Sequence, residues 1–356
     1  MNLVYILAAV LIFGFLIFIH EAGHCVVAKL CNVKVDEFAM GMGPVLWQKE
    51  KGETLYSLRA IPFGGFCAFE GEDEGGGPRA FHRQGFWKKA AVLVAGSAMN
   101  FLAGFLIIAI LHAGAAGFLT DQISGFAPGF PLEGEEGLMA GDIFYKIDGY
   151  RTYIRGDAST YLAYHRGDTI DLEVIRDGER IVLEDFPMQR QTYTAQDGSE
   201  YTGFGLYVGA HMEEATFTSR LKFTWNTCMN FVQLIRFSFA QLFSGGTTIE
   251  DISGPVGIVS TMTEIGAESE TTRAAFENIF YFAALLAVNL SVMNMLPIPA
   301  LDGGRLVFLI VDGIGMLLFK KKVPERYQAA VNGVCFAALM AFMVLVTFKD
   351  VTKLFQ

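Results

Sequence analysis

The stretch His20-Glu21-Ala22-Gly23-His24 follows directly on an uncharged apolar run, Leu3 to Ile19. Two histidines four apart fall on one face of a helix and can grip a single Zn²⁺. The Glu beside the first is placed to take a proton from water held on that ion. The run in front of them is long enough to enter a bilayer. A carboxylate at membrane depth costs roughly 2.5–3.5 kcal/mol on insertion scales, so Glu21 in that setting is a functional candidate by default.

The rest of the chain supports a membrane setting. Of 356 residues 52% are hydrophobic and only 18% are charged, and the mean hydropathy is +0.38, too apolar for an ordinary soluble protein. Four runs approach the roughly 20 apolar residues that cross a hydrocarbon core. They are Leu3 to Val27, Ala90 to His112, Ile279 to Leu296 and Ala329 to Phe348. A fifth, Leu306 to Phe319, is short and broken by Asp312, Gly313 and Gly315, and is expected to be a buried or interfacial helix. The first run lacks a basic leader and carries the histidine pair where a cleavage site would stand, so it is expected to be a retained span. Cys25, Cys31, Cys67, Cys228 and Cys335 are scattered and odd in number, which argues against a disulfide framework or a thiolate metal site. Each reads as a small apolar filler.

The net charge of −10 is localised. Between Ala113 and Arg220 stand eighteen acidic and eight basic residues, which account for the whole excess and mark a soluble module. Lysine pairs such as Lys88-Lys89 and Lys320-Lys321 flank the spans on the other loops, which the positive-inside rule places in the cytoplasm, with both termini and the acidic module outside. No nucleic-acid partner is expected. Within the module, Ile170, Leu172 and Val174 alternate with acidic residues, Asp177-Gly178 supplies a tight turn, and Ile181 and Leu183 resume the alternation. Upstream, a short helix is expected before Gly141-Asp142, then a strand, Asp148-Gly149 and another helix, an order that resembles a PDZ domain.

Two further segments bear on chemistry. In Thr54 to Glu70, Gly64-Gly65 between apolar residues suggests the turn of a hairpin with an apolar surface. Leu221 to Phe243 carries Lys222, Asn226, Asn230, Gln233 and Arg236 at helical spacing, which suits an amphipathic helix on a membrane surface. A catalytic zinc takes three protein ligands, and the best third candidate is Asp302 in Asn294-Met295-Leu296-Pro297-Ile298-Pro299-Ala300-Leu301-Asp302-Gly303-Gly304. There two prolines and two glycines interrupt an apolar helix, and broken backbone at membrane depth is tolerated where it lines a wet cavity. Asn289 and Asn294 could donate hydrogen bonds to a substrate carbonyl, or could simply tie helices together.

Taken together, HEAGH in the first span, NMLPIPALDGG in a late one and a PDZ-like module between them resemble the site-2 protease family of intramembrane zinc proteases, in its short bacterial, single-PDZ pattern. Ile61-Pro62-Phe63-Gly64-Gly65, Arg79-Ala80-Phe81, Ala95 to Phe101 and Ser253-Gly254-Pro255-Val256-Gly257 extend the match; Ser97 departs from it, since many members carry Pro there. The resemblance implies zinc on His20, His24 and Asp302, with Glu21 as general base. It also implies substrate contact by Asn294 and Asn289, and a substrate-binding strand edge around Gly64, Gly65 and Phe66. The expected fold is a polytopic α-helical membrane protein of four spans with an inserted α+β PDZ-like domain and a small membrane-associated β-hairpin.

The expected parts are an N-terminal membrane part (1–112), the PDZ-like domain (113–212), a linker with the surface helix (213–278) and a C-terminal membrane part (279–356). The expected setting is a bacterial cytoplasmic membrane, with the PDZ-like domain outside. The expected partners are the lipid bilayer, single-span membrane substrates such as trimmed anti-sigma factors or remnant signal peptides, and a separate protease that cuts first. A membrane zinc transporter would need several ligand sets and internal repeats, and neither is visible. A catalytically inactive PDZ adaptor would be expected to have lost Glu21 or a ligand.

Overall fold

A computed structural model describes residues 3–71, 75–194, 200–244, 253–321 and 323–353; positions 245–252 of the expected linker fall outside them. In chain order the helices among these residues are α1 (Leu3–Leu30), α2 (Phe86–Ala113), α3 (Asp157–Tyr164), α4 (Phe217–Phe243), α5 (Pro255–Glu268), α6 (Thr272–Asn294), α7 (Asp302–Leu318) and α8 (Glu325–Lys353). The strands are β1 (Val35–Lys51), β2 (Thr54–Phe69), β3 (Gly117–Phe126), β4 (Ile143–Ile147), β5 (Tyr150–Arg151), β6 (Ile170–Arg176), β7 (Glu179–Phe186), β8 (Gln191–Thr194), β9 (Glu200–Gly203) and β10 (Leu206–Glu214). The chain forms two compact units, Met1–Ile107 with Ser238–Gln356, and Ile108–Phe237.

In the first unit, α1, α2, α6 and α8 are long and apolar enough to cross a membrane. Helix α1 continues unbroken through the histidine pair and stops where Asn32 takes a left-handed φ of 60° and the Val33 N–H bonds back to Ala28. Helix α6 starts earlier than its apolar run, because the Thr271 hydroxyl accepts from the Ala274 N–H and caps it. It ends at Asn294, ahead of Pro297 and Pro299. Ala9 and Leu16 of α1, Met262 of α5, and Ile279, Leu286 and Ala287 of α6 form one buried cluster. Asp350 of α8 accepts the N–H groups of Gly254 and Gly257, which anchors the start of α5. The helix expected at Leu306 to Phe319 forms within α7; only Gly303 and Gly304 of α7 are buried within the chain, and Ile314 and Leu317 are 50% and 82% exposed.

The hairpin differs from its expected form. Its turn lies at Gly52-Glu53, between β1 and β2, and Gly64-Gly65 sits inside β2. Gly64 has φ +88°, so the glycine pair bends a strand instead of reversing the chain. The bend lets residues 37–40 of β1 face both Leu55–Leu58 and Gly65–Ala68 of β2. A second buried cluster, with Cys25 and Ala28 of α1, Phe38 and Phe69 of the strands, Phe81, and Val92 and Leu93 of α2, holds this small sheet against the ends of the two helices.

The second unit is built on a six-stranded sheet in the order β10-β3-β4-β6-β7, with β5 paired to β4, and carries α3. Its hairpins form where the sequence indicates. Asp177 and Gly178 both have positive φ (51° and 86°), as do Asp148 and Gly149 (47° and 81°), the pattern of two-residue turns that match strand twist. Ile170, Leu172 and Val174 point into the core with Ile123, Leu138, Phe144 and Ile147. The short helix expected before Gly141-Asp142 is absent; the segment forms turns, fixed by Asp142, which accepts from the Met139 N–H and from Arg176. The polar stripe of α4 faces water only in part, with Lys222 and Arg236 exposed. Asn230 and Gln233 are buried, donating to Asp157 and to Tyr161 respectively, and Gln233 also pairs with the backbone of Arg151.

Candidate metal centre and cavity

Helical spacing puts His20 and His24 on successive turns of α1 with their Nε2 atoms 3.3 Å apart and their rings edge to face. Asp302, the first residue of α7, brings its Oδ2 to 3.1 Å from His20 Nε2 and 3.2 Å from His24 Nε2. Among the described residues these three form the one cluster able to hold a metal ion. Two ligands each about 2.0–2.1 Å from a tetrahedral centre lie roughly 3.3 Å apart, so this triangle has the dimensions of one face of a zinc site. Asp302 Oδ2 is buried and receives no hydrogen bond. An orphaned carboxylate oxygen facing two imidazole nitrogens is the arrangement a cation satisfies. The residues present therefore fit zinc.

Local backbone explains how a residue so distant in sequence arrives. After α6 ends, residues 295–301 turn back tightly, with the Ile298 N–H bonding Leu296 O and the Leu301 N–H bonding Ile298 O. This turn lies on the start of α7: a Cβ at Gly303 would stand 2.3 Å from Leu296 O, and one at Gly304 2.4 Å from Ile298 O. The two glycines after Asp302 are thus required by close approach.

Helix α2 supplies a supporting layer that sequence reasoning left without a role. His24 Nδ1 donates to Val92 O at 2.8 Å, which fixes the ring and, in the neutral imidazole, leaves the lone pair on Nε2. A Cβ at Gly96 would stand 2.3 Å from His24 Nε2 and 2.7 Å from His20 Cε1, so only glycine lets α2 pass this close. Asn100 is buried, with its amide nitrogen 3.5 Å from His20 Nδ1. The available signal was a buried-type amide and a glycine inside an apolar span, both uncommon there without a packing or chemical reason.

The other expected site residues divide. Glu21 is half-buried and close enough to His20, His24, Asp302 and Arg305 to feel their charges. Asn294 places its amide nitrogen 3.5 Å from His20 Nε2, whereas Asn289 lies five residues earlier on α6, roughly 7.5 Å along the axis. Gly64 and Gly65 line a cavity of about 480 Å³ together with Glu21, Ile17 and Phe18 of α1 and Ala39 to Gly41 of β1. Phe66 is not part of that lining; its ring packs under the Arg59 guanidinium at 4.9 Å. Of the remaining histidines, His82 bonds Gly71 O, His112 bonds Thr224, and His165 bonds Asp148, away from any metal cluster among the described residues.

Comparison with known proteins agrees with this chemistry. The profile of peptidase family M50 matches residues 8–342. A protein of Clostridium perfringens named as a zinc metalloprotease is 34% identical over 349 residues, covering 98% of each chain. Zinc metalloprotease RasP of Shouchella clausii is 27% identical, with 99% of each chain covered. The regulator of sigma-W protease RasP of Bacillus subtilis is 24% identical and covers 98% of this chain and 99% of its own. The match runs nearly end to end and takes in both helices that carry the His-His-Asp triangle. The chain is a zinc metalloprotease of the site-2 protease type and belongs to peptidase family M50.

Proposed function

We propose that the protein is an intramembrane endopeptidase that hydrolyses peptide bonds within or beside the transmembrane helix of single-span membrane proteins. The observation that carries this reading is the triangle of two Nε2 atoms and one Oδ2 beside Glu21, on a helix apolar and long enough to cross a membrane. His20, His24 and Asp302 would hold the ion. Bound there, zinc supplies a Lewis acid that polarises the scissile carbonyl and makes water a nucleophile near neutral pH.

The chain's own residues do the rest. Glu21 accepts a proton as the water oxygen attacks the carbonyl carbon, then delivers it to the amide nitrogen as the C–N bond breaks. Asn294 turns its amide N–H groups toward the carbonyl oxygen as charge grows there. Val92 and Asn100 keep the imidazoles in place through their outer nitrogens. A helical peptide bond is shielded by its own turn, so the substrate has to be extended at the cut. The strand around Gly64 and Gly65, lining the cavity with Glu21, offers an edge for such a segment.

The second unit is read as a PDZ-like domain around residues 113–212 on the outer face of a bacterial cytoplasmic membrane. Parts 1–112 and 279–356 form the membrane portion, and 213–278 joins them to the domain. Lysines beside the spans and the acidic excess of the module support that orientation. Trimmed anti-sigma factors and remnant signal peptides are the favoured substrates, with a separate protease acting first; the sigma-regulator name of the Bacillus subtilis relative supports the former class.

Metal analysis of purified variants tests the roles. Glu21→Gln is expected to keep zinc and lose proteolysis, while His20→Ala, His24→Ala and Asp302→Ala lose zinc itself. Full zinc and activity in Asp302→Ala would remove the third ligand. In a background without the native cysteines, Glu179→Cys should react with an impermeant thiol reagent in intact cells and Gly76→Cys only after permeabilisation. Equal labelling would overturn the orientation.

A further inference from the structure

None of the five cysteines is joined in a disulfide, yet two of them meet. The Cys25 thiol hydrogen-bonds the Cys67 thiol, and both pack in the cluster that holds β2 on α1. The contact follows from a match of spacings. Gly65 of β2 lies against Glu21, the site of its missing Cβ being 3.2 Å from Glu21 Cγ. Two residues along a strand advance roughly 6.6 Å and return to the same face; four along a helix advance about 6 Å and return to nearly the same face. Cys67 is therefore set against Cys25 as Gly65 is set against Glu21.

We propose that Cys25 and Cys67 are an oxidisable thiol pair, whose disulfide fastens β2 to α1 beside the general base and shuts off proteolysis. The oxidant is a small-molecule disulfide. Cys67, half-buried, attacks it first: one sulfur–sulfur bond breaks, a mixed disulfide forms on Cys67, and one small thiol leaves with a proton. The buried Cys25 sulfur then displaces the second small thiol, so that the two cysteines lose two electrons and two protons while the small disulfide gains both. A small thiol reverses the sequence. Intracellular disulfides are usually transient and sensory, which suits a reversible pair.

The effect on cleavage rests on the proposed protease function. The Cβ site of Gly65 is 3.2 Å from Glu21 Cγ and 2.9 Å from Ala39 O, so β2 lies in contact with both the base and its neighbouring strand. On the proposed reading an extended substrate segment enters the cavity that Glu21, Gly64 and Gly65 line and pairs with β2 there, which calls for β2 to shift as the segment seats. A covalent link two residues away at Cys67 prevents that movement.

The test uses the full-length, zinc-loaded protein in detergent, treated with oxidised glutathione, alkylated and mapped by non-reducing peptide mass analysis. The expected result is a peptide containing Cys25 joined to one containing Cys67. Cleavage of a single-span substrate should fall by about a hundredfold, the scale of a displaced active-site element, and return with dithiothreitol at unchanged zinc content. The variant Cys67→Ala should stay active throughout and show no joined peptide. A stable glutathione adduct, a link to Cys31 instead, or full cleavage by the joined form would overturn the proposal. If the link forms but neither redox state cleaves any substrate, the protease reading fails and the thiol pair stands.

Discussion

Asp302 and Asp157 are both sequestered carboxylates, and they are treated in opposite ways. Asp157, at the start of α3, accepts from the N–H groups of Tyr153 and Ile154 and from the Asn230 amide. Its neighbour Asp121 accepts from Gly156 and Ala158. Asp302 Oδ2 receives no donor and instead faces two imidazole nitrogens, one of which has its lone pair pointed inward by the Val92 carbonyl. A carboxylate that organises backbone is saturated with donors, whereas one kept for a cation is left short of them. Left metal-free with neutral histidines, the triangle sets electron pairs against one another, so its geometry has to be enforced by the surrounding helices.

The sharpest way to break that contrast is Asp302→Ala, expected to leave zinc binding and proteolysis undetectable while the second unit keeps its fold. Atomic absorption and hydrogen exchange on one sample check both halves. Next comes Gly96→Ala. Its new methyl group would sit where His24 Nε2 already lies, and zinc affinity should fall by on the order of 100-fold, as losses in the supporting layer of a metal site do. Unchanged zinc affinity there would show that the helices yield and do not enforce the triangle.

The saturated side is expected to respond to pH. Burial pushes the Asp157 carboxyl up to about 6 against the pull of its backbone donors, and burial raises Asp121 as well. A raised carboxylate binds its proton more tightly in the folded state, so its contribution is fully present below the unfolded value of 3.8 and is lost as pH rises toward about 6. The second unit should lose on the order of 2 kcal/mol across that window, read from hydrogen-exchange protection of residues 153–164 corrected for intrinsic rates. Asp157→Asn should flatten the dependence; an unchanged slope would assign it elsewhere. The smallest effect is expected from Asn294→Ala, about a tenfold loss in kcat at constant zinc content, below the roughly 100- to 1000-fold of a fully aligned oxyanion donor. A loss of zinc would make Asn294 a ligand-positioning group instead.

Much of this was legible because chemistry and periodicity coincide. The histidine pair is readable from a spacing of four, and Asp302 from the Pro and Gly residues that stop one helix and start another. The β6–β7 hairpin is readable because alternation and Asp-Gly point the same way. What escaped depends on neighbours distant in sequence. Gly64-Gly65 has the composition of a turn, but β1 bends with it and the reversal falls at Gly52-Glu53 instead. The polar stripe of α4 has the spacing of a wet face, yet Asn230 and Gln233 turn inward because Asp157 and the Arg151 backbone offer them partners. Gly96 and Asn100 read as packing within a span, since nothing local says that α2 lies on the histidines. Cys25 and Cys67 read as fillers for the same reason.

The order of the ligands along the chain has a consequence for the timing of activity. His20 and His24 are made almost at once, but Asp302 follows them by roughly 280 residues, which at ribosomal rates of about 5–20 residues per second is a delay of about 14–56 s. On the proposed assignment, the nascent chain carries throughout that interval a general base and two ligands without the third. Synthesis itself thus withholds the active site until α6 has been made and the turn before α7 has closed. If it cuts membrane segments as proposed, the protein passes through its own insertion, beside other nascent helices, in a latent form.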